Sequence, residues 1–341
     1  MTYNKEDTNM KILVCGGAGY IGSHTVKELL DKCYDVIVVD SLETGHKKAV
    51  DDRASLYVGN LSDEDFLESV FSKHKIDAVI DFAAYSLVGE SVIEPAKYFE
   101  NNIGGTLSLL SKMRKYNVKY IVFSSTAATY GEPENIPILE SDRTLPTNPY
   151  GESKLCVEKI LHWFEEAYGI KYSVLRYFNA AGAHQSGVIG EDHCPESHLI
   201  PIIMQVALEK REFIGIFGDD YDTKDGTCIR DYIHVTDLAQ AHILSLEKTI
   251  EQNKSRTYNL GNGKGFSVKE VVEMARKVTG KQIPVKIEPR RAGDPSVLIA
   301  SSEKIIKELG WQPKYNTLEE IIASAWKWHQ SHPNGYEDRK V

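Results

Sequence analysis

The sequence predicts an α/β protein: a doubly wound parallel sheet with a smaller, mixed α/β domain in its C-terminal part. Three observations predict it. Short apolar runs alternate with amphipathic helical stretches through the first half, the pattern of parallel strands joined by crossover helices. A glycine triplet falls between the first strand and the first helix. After about Asn179 the alternation gives way to loops, turns and shorter elements. With 341 residues the chain can build one large or two medium domains with a substantial core.

Residues 12–15 form the first apolar run, read as a buried parallel strand. The glycine turn 16–22 follows, then a helix carrying Val26, Leu29 and Leu30. Gly16, Gly19 and Gly22 allow a tight turn, close approach of a pyrophosphate and close helix packing, with the pyrophosphate on the helix N-terminus. A second strand, 36–39, ends in Asp40. An acid there accepts hydrogen bonds from a ribose diol and repels a 2′-phosphate. No Arg lies between Ser41 and Gly45, so this Rossmann-type unit is expected to bind NAD rather than NADP.

Further strands are expected at 56–58, 78–80, 120–123 and 172–175. Ser62 with Asp65 is expected to cap the helix holding Phe66, Leu67, Val70 and Phe71. Residues 98–102 read as helical. Asn148 and Pro149 read as an N-cap and first-turn proline. Residues 180–200 read as loop, followed by a helix with Ile202, Ile203, Val206 and Leu208, then strands and turns at 214–218. The segment 231–260 reads as strand, helix, strand. Ser267 caps a helix stopping at Gly280, and Thr317 with Glu320 forms a capping box for the last one. The expected division is a cofactor domain over 10–179, rejoined by 231–261, and a substrate domain from 180–230 and 262–341, the ligand lying between them. The polar residues 1–9 are expected to be a disordered extension.

A formal net charge of −9 argues against nucleic acid or an anionic membrane as partner. No apolar run is long enough for a membrane span or has the form of a signal peptide. The five cysteines are scattered, as in a cytoplasmic protein with reduced thiols. His193, Cys194 and His198 share a loop, but no second ligand cluster faces them in the sequence, so no metal is expected.

The chemistry concentrates at Tyr150 and Lys154, four residues apart and so on one helix face. The ammonium, the helix N-terminus and a nicotinamide cation would each favour the phenolate, making Tyr150 a base for a substrate hydroxyl. Ser124, Ser125 and Thr126 follow a strand at its carboxyl end, where such sheets bind ligands. Small residues after another strand, Ala83 and Ala84 beyond Phe82, leave room for a cofactor. Arg230, Arg290 and Arg291 suit phosphate.

These motifs, with those at 88–91, 101–106, 124–131, 175–179, 190–192, 225–235 and 289–294, resemble the extended short-chain dehydrogenase/reductases. Those of the second half resemble the UDP-sugar 4-epimerases among them, over nearly the whole chain from Met10. The resemblance implies interconversion of UDP-galactose and UDP-glucose through a 4-keto sugar, by Tyr150, Lys154 and Thr126, with tightly held NAD. It implies cofactor contacts from Gly16, Gly19, Tyr20, Ile21, Gly22, Asp40, Ser41, Gly45, Asn60, Leu61, Phe82, Ala83, Ala84, Ser86, Asn101, Ser124, Tyr150, Lys154, Tyr177 and Phe178. It implies UDP-sugar contacts from Thr126, Tyr150, Asn179, His198, Leu199, Gly215, Phe217, Arg230, Arg291 and Asp294, with Leu298 gating the sugar pocket. A large Tyr at that gate restricts members to glucose and galactose, and a small residue admits N-acetyl sugars; Leu is intermediate, leaving UDP-N-acetylglucosamine an open alternative. The chain departs from common members at Asn60, Ser86, Thr126 and His198, where an acid, Lys, Ser and Asn are frequent. The resemblance also implies a homodimer through helices near 92–115 and 149–168. A 4,6-dehydratase would need an Asp-Glu pair where Ala127 and Ala128 stand. A non-enzymatic NAD-binding regulator would be expected to lack part of the Thr126, Tyr150, Lys154 set.

Overall fold

The computed structural model describes residues 10–291 and 295–338; residues 1–9 and Asp294 lie outside them. Its centre is a seven-stranded sheet of β1 (Lys11–Cys15), β2 (Asp35–Asp40), β3 (Ser55–Val58), β4 (Ala78–Asp81), β5 (Tyr120–Thr126), β6 (Lys171–Tyr177) and β11 (Arg256–Leu260). The order is β11-β6-β5-β4-β1-β2-β3, and every pairing is parallel. Strand direction of growth reverses between β1 and β4, which opens a crevice at their carboxyl ends.

Period-two alternation explains why these runs are apolar throughout. Ile12 and Val14 join one buried cluster, with Val26, Leu29 and Leu238; Leu13 and Cys15 join the other, with Leu67, Leu109 and Leu161. The central strands bury both faces of their pleat because helices cover both sides of the sheet, whereas the edge strand β3 is partly exposed. The first face carries α1 (Tyr20–Asp31), α8 (Val235–Gln252) and α10 (Glu303–Leu309). The second carries α2 (Glu64–Lys73), α5 (Gly105–Lys115) and α6 (Pro149–Tyr168), with the short α3 (Val88–Ile93) and α4 (Pro95–Tyr98) beside them.

A separate cluster of Ile200, Ile203, Met204, Val271, Val272, Ile321 and Trp326 joins α7 (Leu199–Ala207), α9 (Val268–Thr279) and α11 (Leu318–Ser331). Around it lie the pairs β7 (Asn179–Ala181) with β10 (Tyr232–His234), and β8 (Ile214–Phe217) with β13 (Val285–Glu288). A three-stranded patch completes it: β9 (Ile229–Arg230), β12 (Phe266–Ser267) and β14 (Val297–Leu298). Reciprocal capping boxes start α9, with Ser267 and Glu270, and α11, with Thr317 and Glu320.

Three local expectations are corrected. The cap of α2 is Asp63, whose carboxylate accepts from the Phe66 amide at 2.9 Å, because Asn60 already takes the Ser62 hydroxyl and amide. Ser124 to Thr126 lie within β5 rather than after it, since pairing with β6 continues to Thr126 opposite Tyr177. The helix through Asn101 is a π-helical turn, Phe99–Gly104, of a kind that often marks a functional site.

Candidate active site

The glycine turn lies against the end of β4. A Cβ on Gly16 would stand 2.8 Å from the Ala83 nitrogen, and one on Gly22 would stand 2.1 Å from the Gly16 oxygen. Gly16 also has φ +72°, a left-handed conformation that glycine alone adopts easily. Gly19 is the N-cap of α1 and no side chain caps that end, which leaves its first amides for a phosphate. Asp40 accepts from the amides of Ala18 and Leu42, at 2.9 and 2.8 Å, and Gly45 packs against its carboxylate. Burial raises the Asp40 pKa, and these amides oppose the rise.

The other residues expected at the cofactor spread around this crevice. Phe82 and Ala83 begin the turn after β4; the Ala83 amide donates to Asp81. Leu61 is buried against Gly105, and Ser41 accepts weakly from Glu43. Tyr20 points across the cleft instead, donating to the Gly182 carbonyl at 2.6 Å. Asn101 donates to Asn102, and Asn102 is the residue that ties the crevice together. Its amide bonds the Tyr85 backbone in both directions and donates to Ser153 of α6 at 3.0 Å. Ala84 and Ser86 flank Tyr85 in the same turn, and Ile21 and Phe178 adjoin Tyr20 and Tyr177 in sequence.

Asn148 starts α6 by accepting from the Gly151 amide at 2.9 Å, with Pro149 in the first turn. Lys154 is 4 % exposed and donates to the Ser124 carbonyl at 3.0 Å, its ammonium 4.8 Å from the Phe123 ring centroid. Thr126 hydrogen-bonds the Tyr150 phenol, and Ser124 bonds the Tyr177 hydroxyl. One site thus gathers Ser124, Thr126, Tyr150, Lys154 and Tyr177.

Electrostatics there correct one expectation. In the chain itself burial raises the Tyr150 pKa, and the Thr126 hydrogen bond only partly opposes it. Lys154 donates one of its three N–H groups to a backbone carbonyl, and burial lowers its own pKa to about 8 against the pull of Asp81 and Glu158. Asp81, 1 % exposed and opposite Phe123 in the β4–β5 register, is pushed up to about 6 by burial, with Lys154, the Ala83 amide and Thr106 opposing. Removing this anion costs the ammonium its counter-charge. Asp81→Asn should therefore lower the Lys154 pKa further, so that the alkaline limb of a kcat–pH profile moves to lower pH. An unmoved limb would show that Asp81 does not set the charge of Lys154.

Beneath this pair lies a buried network that sequence spacing does not reveal. Glu158, one turn beyond Lys154, accepts from Arg176 Nε at 3.0 Å and from Ser125. Arg176 also donates to Tyr130, which donates to Asn259 at 2.7 Å. The network locks α6 to β5 and β6.

Across the cleft, Asn179 donates to the Asp231 carbonyl at 3.0 Å, and Arg230 and Leu298 are partners in the β9–β14 register. Arg291 stacks its guanidinium 3.9 Å from the Phe217 ring centroid, next along β8 from Gly215 and Ile216. His198 is the N-cap of α7, and Leu199 its first residue. Asp231, fully buried, accepts from the amides of Asn262, Gly263 and Ala300 and so gathers three loops at this wall. The loop before α7 contains more than the sequence suggested: Glu191 and Glu196 converge on His193 and His198.

This geometry can be set beside known proteins. Residues 12–261 match the model of the NAD dependent epimerase/dehydratase family. The chain belongs to this family. It is 62 % identical to the UDP-glucose 4-epimerase of Halalkalibacterium halodurans over 327 residues, covering 96 % of this chain and 98 % of that one. A crystal structure of a UDP-glucose 4-epimerase superimposes with a TM-score of 0.95 at 55 % identity, covering 96 % and 99 % of the two chains. That of UDP-glucose 4-epimerase from Bifidobacterium longum, in complex with NAD⁺ and UDP, does so with a TM-score of 0.90 at 43 % identity, covering 96 % and 100 %. As in other members of the epimerase family, the cofactor is NAD, and the glycine-rich turn, the uncapped α1 and the acid of Asp40 fit it. Among the described residues no helix is long and apolar enough to cross a membrane.

Proposed function

We propose that the protein interconverts UDP-galactose and UDP-glucose by inverting C4 through a 4-keto sugar. What supports this reading is the convergence of Thr126, Tyr150 and Lys154 at the carboxyl end of β5, together with Arg230 on β9 and the stacked Phe217 and Arg291 at the end of β8. A base at the sugar and cations for a diphosphate are what the reaction requires.

Bound NAD supplies the hydride acceptor and, in its oxidised form, a positive charge that offsets the burial penalty on the Tyr150 phenolate. Tyr150 takes the proton of the 4-hydroxyl and later returns it to the oxygen on the inverted carbon. Thr126, within hydrogen-bond reach of the phenol, holds that oxygen beside it. Lys154 keeps an ammonium near the site and would help to hold the cofactor. Arg230 and Arg291 neutralise the diphosphate, Phe217 and Leu199 flank the uracil, and Asn179 and His198 complete the nucleotide contacts. Ala127 and Ala128 carry no proton, so nothing beside Thr126 eliminates water from the keto sugar. Leu298, next to Arg230, is smaller than a tyrosine and makes UDP-N-acetylglucosamine the second substrate to assay. With UDP-galactose carrying deuterium at C4, the UDP-glucose formed should keep it there, since the hydride returns to the sugar it left. Loss of the label to solvent would defeat the reading.

The active form is proposed to be a homodimer in the cytoplasm. Val92 and Ile93 of α3, Leu107 of α5 and Trp163 of α6 are exposed, Ile93 by 77 % and Trp163 by 67 %, on helices packed beside one another. Such apolar surface is normally covered. Trp163→Glu should shift the sedimentation coefficient from dimer to monomer, and a dimer that survives this and Ile93→Glu would place the interface elsewhere.

A further inference from the structure

The segment 191–198 places four donor groups around one point. Glu191, His193, Glu196 and His198 each offer an atom, all within 4.8 Å of one another. His193 Nδ1 lies 3.2 Å from Glu191 and 3.7 Å from Glu196; His198 Nδ1 lies 3.1 and 2.9 Å from the same two carboxylates. Both carboxylates are withdrawn from solvent, with side-chain exposures of 4 % and 5 %. Zinc bonds of about 2.0–2.2 Å in a tetrahedral site put neighbouring ligand atoms about 3.3–3.6 Å apart. The observed separations straddle that range.

A second observation separates this arrangement from a plain ion-pair network. His193 Nδ1 is buried and makes no well-directed hydrogen bond, although two carboxylates stand beside it. The nitrogen thus stands within 3.7 Å of both carboxylates and is left available to a ligand that lies among the four groups. From these observations we propose that Glu191, His193, Glu196 and His198 bind a divalent transition cation, with zinc as the expected ion.

The donor set of two imidazoles and two carboxylates suits zinc, nickel or cobalt better than calcium or magnesium. The ion is structural: all four ligands come from one short segment, and binding them fixes the start of α7, where His198 and Leu199 stand. Coordination uses Nδ1 of His198, so the ion and a nucleotide do not compete for its Nε2. Burial lowers the affinity of both imidazoles for protons, but the two carboxylates outweigh it and hold His193 near a pKa of about 9 and His198 near about 10. Among the described residues, titratable groups that sense the cluster's carboxylates include Tyr20 and His24 of α1 and His329 of α11, and Asp192 and Cys194 lie within the segment itself.

The test uses the full-length protein with its cofactor, stripped by a chelator and then dialysed against zinc chloride. One zinc per chain is expected by elemental analysis, with a raised Tm. Cys33→Ser/Cys194→Ser should keep it, excluding the exposed thiols, and His193→Ala/Glu196→Gln should lose it while still binding NAD. The cobalt-loaded wild type should show a tetrahedral visible spectrum without a thiolate charge-transfer band, a result independent of how the variants fold. Zinc absent from the wild type, equal zinc in wild type and the His193/Glu196 variant, loss on cysteine substitution, or a thiolate band would each overturn the site.

Discussion

Tyr150→Phe should retain its NAD and lose turnover by roughly 10²–10⁴-fold, the usual share of a positioned acid–base group. The substitution removes one oxygen from a buried aromatic ring and leaves the helix cap at Asn148, the Lys154–Ser124 bond and the glycine turn untouched. Cofactor content should therefore match wild type by absorbance after denaturation. A variant with normal kcat would mean that another group moves the proton. Tyr177 is one such group that senses the Tyr150 charge, but burial pushes its pKa well up and its hydroxyl is engaged by Ser124.

Glu158→Gln should give the largest loss of stability. Glu158 and Arg176 are 8 % and 7 % exposed, and the exchange leaves a buried guanidinium without its anion. Breaking such a pair costs about 3–5 kcal/mol, whereas replacing both charges by apolar groups of similar size is often nearly neutral. The denaturant midpoint should fall sharply for Glu158→Gln and recover substantially in Glu158→Gln/Arg176→Met. An equal fall in both proteins would show that the side-chain packing, not the unpaired charge, holds α6 in place. Because Glu158 lies one turn from Lys154, the single variant should lose kcat along with stability.

Much of the sheet was legible because its central strands are local apolar runs buried on both faces; the edge strands β3 and β11 carry less of that signal. The glycine turn and Asp40 were legible for the same reason: their chemistry is written in consecutive residues. Tyr150 and Lys154 were found by helical spacing. What escaped depends on pairing between distant elements. Asp81 meets Lys154 only because β4 lies next to β5 under α6, and Glu158 meets Arg176 only because α6 crosses β6. The direction of the Tyr150 shift escaped too, since burial is a property of the packed site and the sequence displays only the charges. The convergence at 191–198 is carried by Glu191 and Glu196, which stand two or three residues from His193 and His198 in the sequence, a spacing that does not by itself bring four side chains to one point.

The most direct measurement is proton NMR of the sugar anomeric signals after the purified protein is incubated with UDP-galactose and no added cofactor. UDP-glucose should appear, because retained NAD is regenerated in every turnover. An unchanged UDP-galactose signal even after NAD is supplied, or a keto-deoxy product, would contradict the proposed function.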